Sequence, residues 1–136
     1  MSTQLNPYIN FNGNAREAFE FYQSVLGGKL EMHTFGDFHT SEDPTEQDNI
    51  MHAMLTLDNG EALQGADTPH IMEYKEPCGF SVSLNGSDAE TLRSQFEKIA
   101  DGGTVHVQIE KQVWGDEFGM VTDKYGINWL VNIHAI

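Results

Sequence analysis

Residues 12–28 read NGNAREAFEFYQSVLGG, and residues 85–103 read NGSDAETLRSQFEKIADGG. Both stretches open on Asn-Gly and close on Gly-Gly. In the first, Ala15, Ala18, Phe19, Tyr22, Val25 and Leu26 recur at helical spacing and give one apolar face. Asn14 stands where an N-cap belongs, with Glu17 three residues on in a capping-box position. Gly27 and Gly28 end the helix, because glycine accepts the left-handed conformation of a helix C-terminus. The second stretch repeats the plan: Ser87 and Glu90 form the box, Ala89, Leu92, Phe96, Ile99 and Ala100 form the face, and Gly102-Gly103 form the stop.

Working outward, the flanks repeat as well. Residues 7–11, 29–35, 50–57 and 61–66 carry β-formers with alternation, and Asp58-Asn59-Gly60 is a turn. After the second helix, residues 104–109, 118–123 and 127–133 read as strands, with 79–84 before it and Tyr125-Gly126 as the matching turn. The order is strand, helix and three strands, written twice. This predicts an α+β protein of two βαβββ modules, residues 1–66 and 79–136, joined by a linker at 67–78. A four-stranded sheet with one helix covers only one of its faces. Two such modules in pseudo-two-fold arrangement are therefore expected to form a curved mixed sheet around a cleft, where small ligands tend to bind.

The totals narrow the function classes. A chain of 136 residues is the size of about one domain, and its 8 Phe, 4 Tyr and 2 Trp mark it as globular. Acids outnumber Lys and Arg by 21 to 7, for a net charge of -14. That balance opposes binding to nucleic acid, whose phosphates attract Lys and Arg, and to anionic membranes. The single cysteine, Cys78, excludes an internal disulfide and fits a reducing, cytoplasmic setting. The polar start MSTQLNP does not read as a signal peptide, and no apolar run approaches the ~18 residues of a membrane span.

The stretches PYINFNGNAREAFEFYQSVLGG, IMHAMLTLDN and VWGDEFGMVTDKYGINWLV resemble the vicinal oxygen chelate superfamily, which includes glyoxalases, bleomycin-resistance proteins and dioxygenases. Within it the chain is most similar to the PhnB-like, 3-demethylubiquinone-methyltransferase-like branch. The resemblance implies paired βαβββ modules, a ligand cleft and a homodimer, sometimes with exchanged modules. It also implies a test. Metal-dependent members hold a divalent ion through His, Gln or Glu from the first and last strands of each module, and the ion acts as a Lewis acid. Here those positions fall near residues 6–8, at Gln64, near residues 79–80 and at Leu130. None is His or a carboxylate, so no cofactor is expected there; a divalent ion elsewhere in the chain stays open. No stretch resembles a glycine-rich nucleotide loop, so the branch name carries no methyltransferase reading.

Six histidines are spread along the chain with no HxH or HxxxH pair. His52 stands out as a candidate acid/base or polar anchor. It matches a position that the branch often fills with His, on a strand face shared with Met54 and Thr56. Tyr8 and Asn10 share one face of their strand, opposite Ile9 and Phe11, and are candidate polar contacts for a ligand. Gln64, Asp67, Trp114 and Trp129 complete the expected ligand-binding set, with Asp116 a further candidate to assist. The acidic stretch 36–49 has no periodicity and reads as a mobile flap whose acids are solvated. Two functions compete. One is a binding protein for an unidentified small molecule, aromatic or cationic, of the bleomycin-resistance kind. The other is an enzyme of lyase, isomerase or dioxygenase type, acting on a small polar metabolite through His52 and Gln64.

Overall fold

The computed structural model describes residues 3–135; the outermost residues of the two expected modules, 1, 2 and 136, lie outside that range. The chain divides into two compact units, one ending at Lys75 and the other beginning at Glu76.

The first unit contains β1 (Tyr8–Phe11), α1 (Ala15–Leu26), β2 (Lys29–Thr34), α2 (Phe35–Phe38), β3 (Ile50–Thr56) and β4 (Ala62–Asp67). Its sheet has the order β1-β4-β3-β2, with β1 parallel to β4 and the other pairs antiparallel. The second unit contains β5 (Val82–Gly86), α3 (Ala89–Ala100), β6 (Thr104–Lys111), β7 (Glu117–Thr122) and β8 (Asn128–Ile133). Its sheet, β5-β8-β7-β6, repeats the same pairing senses.

The two registers also agree. Tyr8 pairs with Gln64 and Gln64 with Met54, just as Ser83 pairs with Leu130 and Leu130 with Met120. Alternation then sends every second side chain to the helix side. In the first unit Ile9, Phe11, Ala53, Leu55 and Leu63 are buried with Ala18, Phe19 and Tyr22 of α1. The rings of Phe11, Phe19 and Tyr22 meet edge-on with centroids 5.8 Å apart. In the second unit Val121, Trp129 and Val131 are buried with Leu92, Phe96 and Ile99 of α3.

The helix starts differ from the capping boxes the sequence suggests. The Asn14 side chain makes no capping hydrogen bond. Asp67, at the end of β4 and distant only in sequence, does that work from the strand beside β1. Its Oδ1 accepts the N–H groups of Gly13 (3.0 Å) and Ala15 (2.9 Å), and its Oδ2 accepts that of Ile50 (2.8 Å). In the second unit the register equivalent of Asp67 is Ile133, which has no acceptor. The cap there is Asp88, one residue after the expected Ser87, which accepts from Thr91 N (3.2 Å) and Thr91 Oγ1 (2.8 Å).

The acidic stretch is built rather than structureless. Thr34 and Asp37 form a reciprocal capping box for α2, at 3.0 and 2.9 Å. Backbone bonds from Phe35 N to Asn49 O and Gly36 N to Gln47 O tie its two ends together. The Thr34-x-x-Asp37 signal overlaps the strand expected over 29–35, which ends at Thr34 because that residue caps α2. Likewise β4 runs to Asp67, one residue into the expected linker, and β5 begins at Val82 rather than Gly79.

The repeated Gly-Gly has a spatial reason beyond stopping a helix. A Cβ on Gly28 would strike the carbonyl oxygen of Thr56, and one on Gly103 would strike that of Thr122. These are matching places, where β2 and β6 begin beside the ends of β3 and β7. Gly103 has an ordinary backbone conformation, so space alone requires it. Two stability changes are expected in urea unfolding. Asp67→Ala strands three N–H groups and should lower stability by about 3–5 kcal/mol; a loss under about 1 kcal/mol would refute its bridging role. Gly103→Ala should cost about 1–3 kcal/mol through overpacking, and an unchanged midpoint would show that the strand end yields freely.

Candidate functional site

The side of the first sheet facing away from α1 collects four of the residues singled out in the sequence: Tyr8, Asn10, His52 and Gln64. Tyr8 on β1 and Gln64 on β4 are register partners, and His52 on β3 reaches the same place. His52 Nε2 lies 3.3 Å from Gln64 Oε1, and the Tyr8 and His52 rings are 6.2 Å apart between centroids, tilted at 37°. Tyr8 is 49% exposed, and its partial burial raises the phenol above its ordinary pKa, so it stays a hydroxyl donor at neutral pH. Asn10 shares the face and is exposed. His33, which carried no signal of its own in the sequence, pairs directly with His52 across β2 and β3. Its ring packs edge-on against Phe38 at 5.2 Å. Only the cross-strand register could have found it.

The Gln64 carbonyl and the His52 imidazole face each other, so Gln64 orients the ring and Nε2 is its near atom. The face therefore offers a phenol donor, an amide and an imidazole within one small area. It can hold a polar group from several directions.

The same side of the second sheet has different chemistry. The register equivalents of Tyr8, His52, Met54 and Gln64 are Ser83, Phe118, Met120 and Leu130. Trp114, 58% exposed in the β6–β7 turn, packs on Phe118 with ring centroids 6.1 Å apart. Phe118, Met120 and Leu130 make that side apolar where the first sheet carries His52, Met54 and Gln64; Ser83, Thr122, Asn128 and Asn132 are among its polar groups.

Three expected site residues serve the fold instead. Trp129 is 1% exposed on the face that carries α3, and its indole N–H donates to Asp123 Oδ2 at 2.9 Å. Strand alternation puts it there, one position from Leu130. Asp67 is 2% exposed with both carboxylate oxygens occupied by backbone N–H groups. Asp116 accepts from Asn132 Nδ2 (2.9 Å) and Ala135 N (2.9 Å), which hold its carboxyl below the usual range and pin the end of the chain.

The structure also sharpens the test of the metal positions that the resemblance implies. By register, the first strand of the second unit contributes Ser83 rather than residues 79–80, so the positions are Tyr8, Gln64, Ser83 and Leu130. Leu130 has no donor atom, and the other three bring no carboxylate or imidazole. This donor set does not fit a divalent ion.

Among the described residues no helix is long and apolar enough to cross a membrane. The family model for 3-demethylubiquinone-9 3-methyltransferase matches residues 3–132. The crystal structure of protein PA1353 from Pseudomonas aeruginosa is 39% identical, with a TM-score of 0.88 over 99% of this chain and 100% of that one. A putative 3-demethylubiquinone-9 3-methyltransferase, the PhnB protein from Bacillus cereus, is 22% identical with a TM-score of 0.75 over 97% and 100% of the two chains. A glyoxalase/bleomycin resistance protein/dioxygenase family enzyme from Burkholderia phytofirmans shares the fold at 14% identity, with a TM-score of 0.60 over 93% and 95%. The duplicated βαβββ plan, the matched registers and these likenesses agree: the chain belongs to the PhnB-like 3-demethylubiquinone-9 3-methyltransferase family, on the glyoxalase-like fold.

Proposed function

We propose that this protein binds a small molecule at the helix-free face of its first sheet, without a metal at the family's usual positions. The observation that carries the reading is the Tyr8–His52–Gln64 cluster, with its 3.3 Å His52–Gln64 contact on a partly exposed sheet face. Three polar side chains from three strands converge there, and none is needed for core packing. The tilted Tyr8 and His52 rings supply flat surfaces for an aromatic or cationic group. The Gln64 amide and the Tyr8 hydroxyl supply directional hydrogen bonds. The net charge of -14 favours cationic over anionic ligands through the long-range field.

An enzymatic reading rests on one further feature. The His52–Gln64 contact orients the imidazole, and its other ring nitrogen, Nδ1, is the candidate atom for proton exchange with a bound substrate. Gln64 would then act by positioning the imidazole.

A thermal-shift screen of polar aromatic and cationic metabolites tests binding, since a ligand that prefers the folded state must raise the melting temperature. For a confirmed ligand, Tyr8→Phe and Gln64→Ala should each weaken affinity by about fivefold, the equivalent of one hydrogen bond. Asn132→Ala on the second sheet should leave affinity unchanged. Hits that ignore both first-sheet substitutions would overturn the proposal, as would a screen without hits.

A further inference from the structure

Away from that face, the first unit gathers a second polar group that sequence spacing could not show. Asp43 and Glu46 come from the acidic stretch, and His70 comes from the segment after β4. His70 Nδ1 lies 3.2 Å from Asp43 Oδ2 and 3.1 Å from Glu46 Oε1. One ligand atom from each residue falls within 4.8 Å of the others. We propose that Asp43, Glu46 and His70 form a binding site for a divalent transition-metal ion, Zn²⁺ or Mn²⁺.

The two distances to His70 are compatible with a coordination sphere. An ion with ligands at about 2.0–2.2 Å sets neighbouring donors about 3.0–3.5 Å apart in tetrahedral or octahedral geometry. The two distances to His70 fall inside that window. The donor set, one imidazole nitrogen and two carboxylate oxygens, suits Zn²⁺ and Mn²⁺; the imidazole makes it a poor fit for Ca²⁺ or Mg²⁺.

The carboxylates are also held in place by outer hydrogen bonds. Asp43 Oδ1 accepts from Thr45 N (2.8 Å) and Thr45 Oγ1 (2.7 Å), which leaves Oδ2 turned to the imidazole. Glu46 Oε2 accepts from Ser41 Oγ (2.7 Å), which leaves Oε1 turned the same way; the His70 backbone N–H also donates to it. Such outer partners orient metal ligands and hold their charge. The hydrogen bonds keep both carboxyls below the usual carboxylate range. Glu46 is 5% exposed, and neither carboxylate is paired with Lys or Arg among the described residues. Two close carboxylates, one of them buried, thus meet only one imidazole. A bound cation supplies the missing charge.

The trio lines a cleft of about 520 Å³, with Phe35, Ser41 and Pro69 in its wall. The cleft leaves room for water or an oxygen-donor ligand on the ion. Binding would also fasten the segment after β4 onto the acidic stretch. The site shares no residue with the Tyr8–His52–Gln64 cluster and stands or falls separately.

The test uses the full, tag-free chain, cleared with chelator and titrated calorimetrically with ZnCl₂, MnCl₂ and CaCl₂ in separate runs. A single equivalent of Zn²⁺ or Mn²⁺ should bind, and more tightly than Ca²⁺. His70→Gln and Asp43→Asn should each weaken binding by about tenfold or more, and Ser41→Ala should weaken it while leaving all three ligands present. His106→Gln, on the second unit, should change nothing. Absence of stoichiometric binding overturns the proposal, as does binding that survives His70→Gln or favours Ca²⁺. A second measurement avoids variants: Mn²⁺ should selectively broaden the amide resonances of residues 41–46 and 69–71, and broadening centred elsewhere would refute the site.

Discussion

Asp67 takes backbone N–H groups from Gly13, Ala15 and Ile50. Those three residues open α1, lie in its lead-in turn, and open β3. A buried carboxylate is costly unless fully hydrogen-bonded, and here each oxygen faces a donor that the fold would otherwise leave without a partner. The end of β4 thereby sets where the helix starts and where β3 begins. Tyr8 and Gln64 sit three residues back along β1 and β4 from the Phe11–Asp67 pair, so the register that aligns the polar cluster is fixed close to this point.

The repeat was legible because periodicity is a property of many residues at once. Ala15, Ala18, Phe19 and Tyr22 declare a helical face together, and alternation along β1 and β3 correctly separates Tyr8 and His52 from Ile9 and Ala53. Features that hang on single partners were harder to read. Asn14 does occupy the N-cap position, yet its side chain makes no capping bond; the side-chain acceptor for the helix start arrives from a strand more than fifty residues later. Trp129 reads as a ligand contact, but its place in the alternation puts it in the core against Asp123. The grouping of His70 with Asp43 and Glu46 joins segments that no short motif spans. Local chemistry can be read from spacing; chemistry assembled by tertiary approach cannot.

Duplication has left the backbone plan nearly unchanged while the side chains of the two sheets diverged. Equivalent positions carry Gln64 and Leu130, His52 and Phe118, Tyr8 and Ser83. The helix-facing positions stayed apolar in both units because each has a core to fill. The opposite faces carry no such constraint, and there His52 and Gln64 of one unit stand against Phe118 and Leu130 of the other. A reading of function from fold alone would miss this, since the fold is shared by proteins of very different activity.

The two helix caps imply an order of events. Asp88 lies next to α3 in the chain, so that helix can complete its first turn as soon as its own residues are available. The first turn of α1 waits for Asp67, which must arrive with β4 after two further strands have passed. Closing that long loop carries an entropic cost that the local cap avoids. The unit that begins the chain therefore depends on its own end to finish its first helix. Although their backbones match, the two copies should mature by different routes: the second from its helix outward, the first only once its sheet has come together.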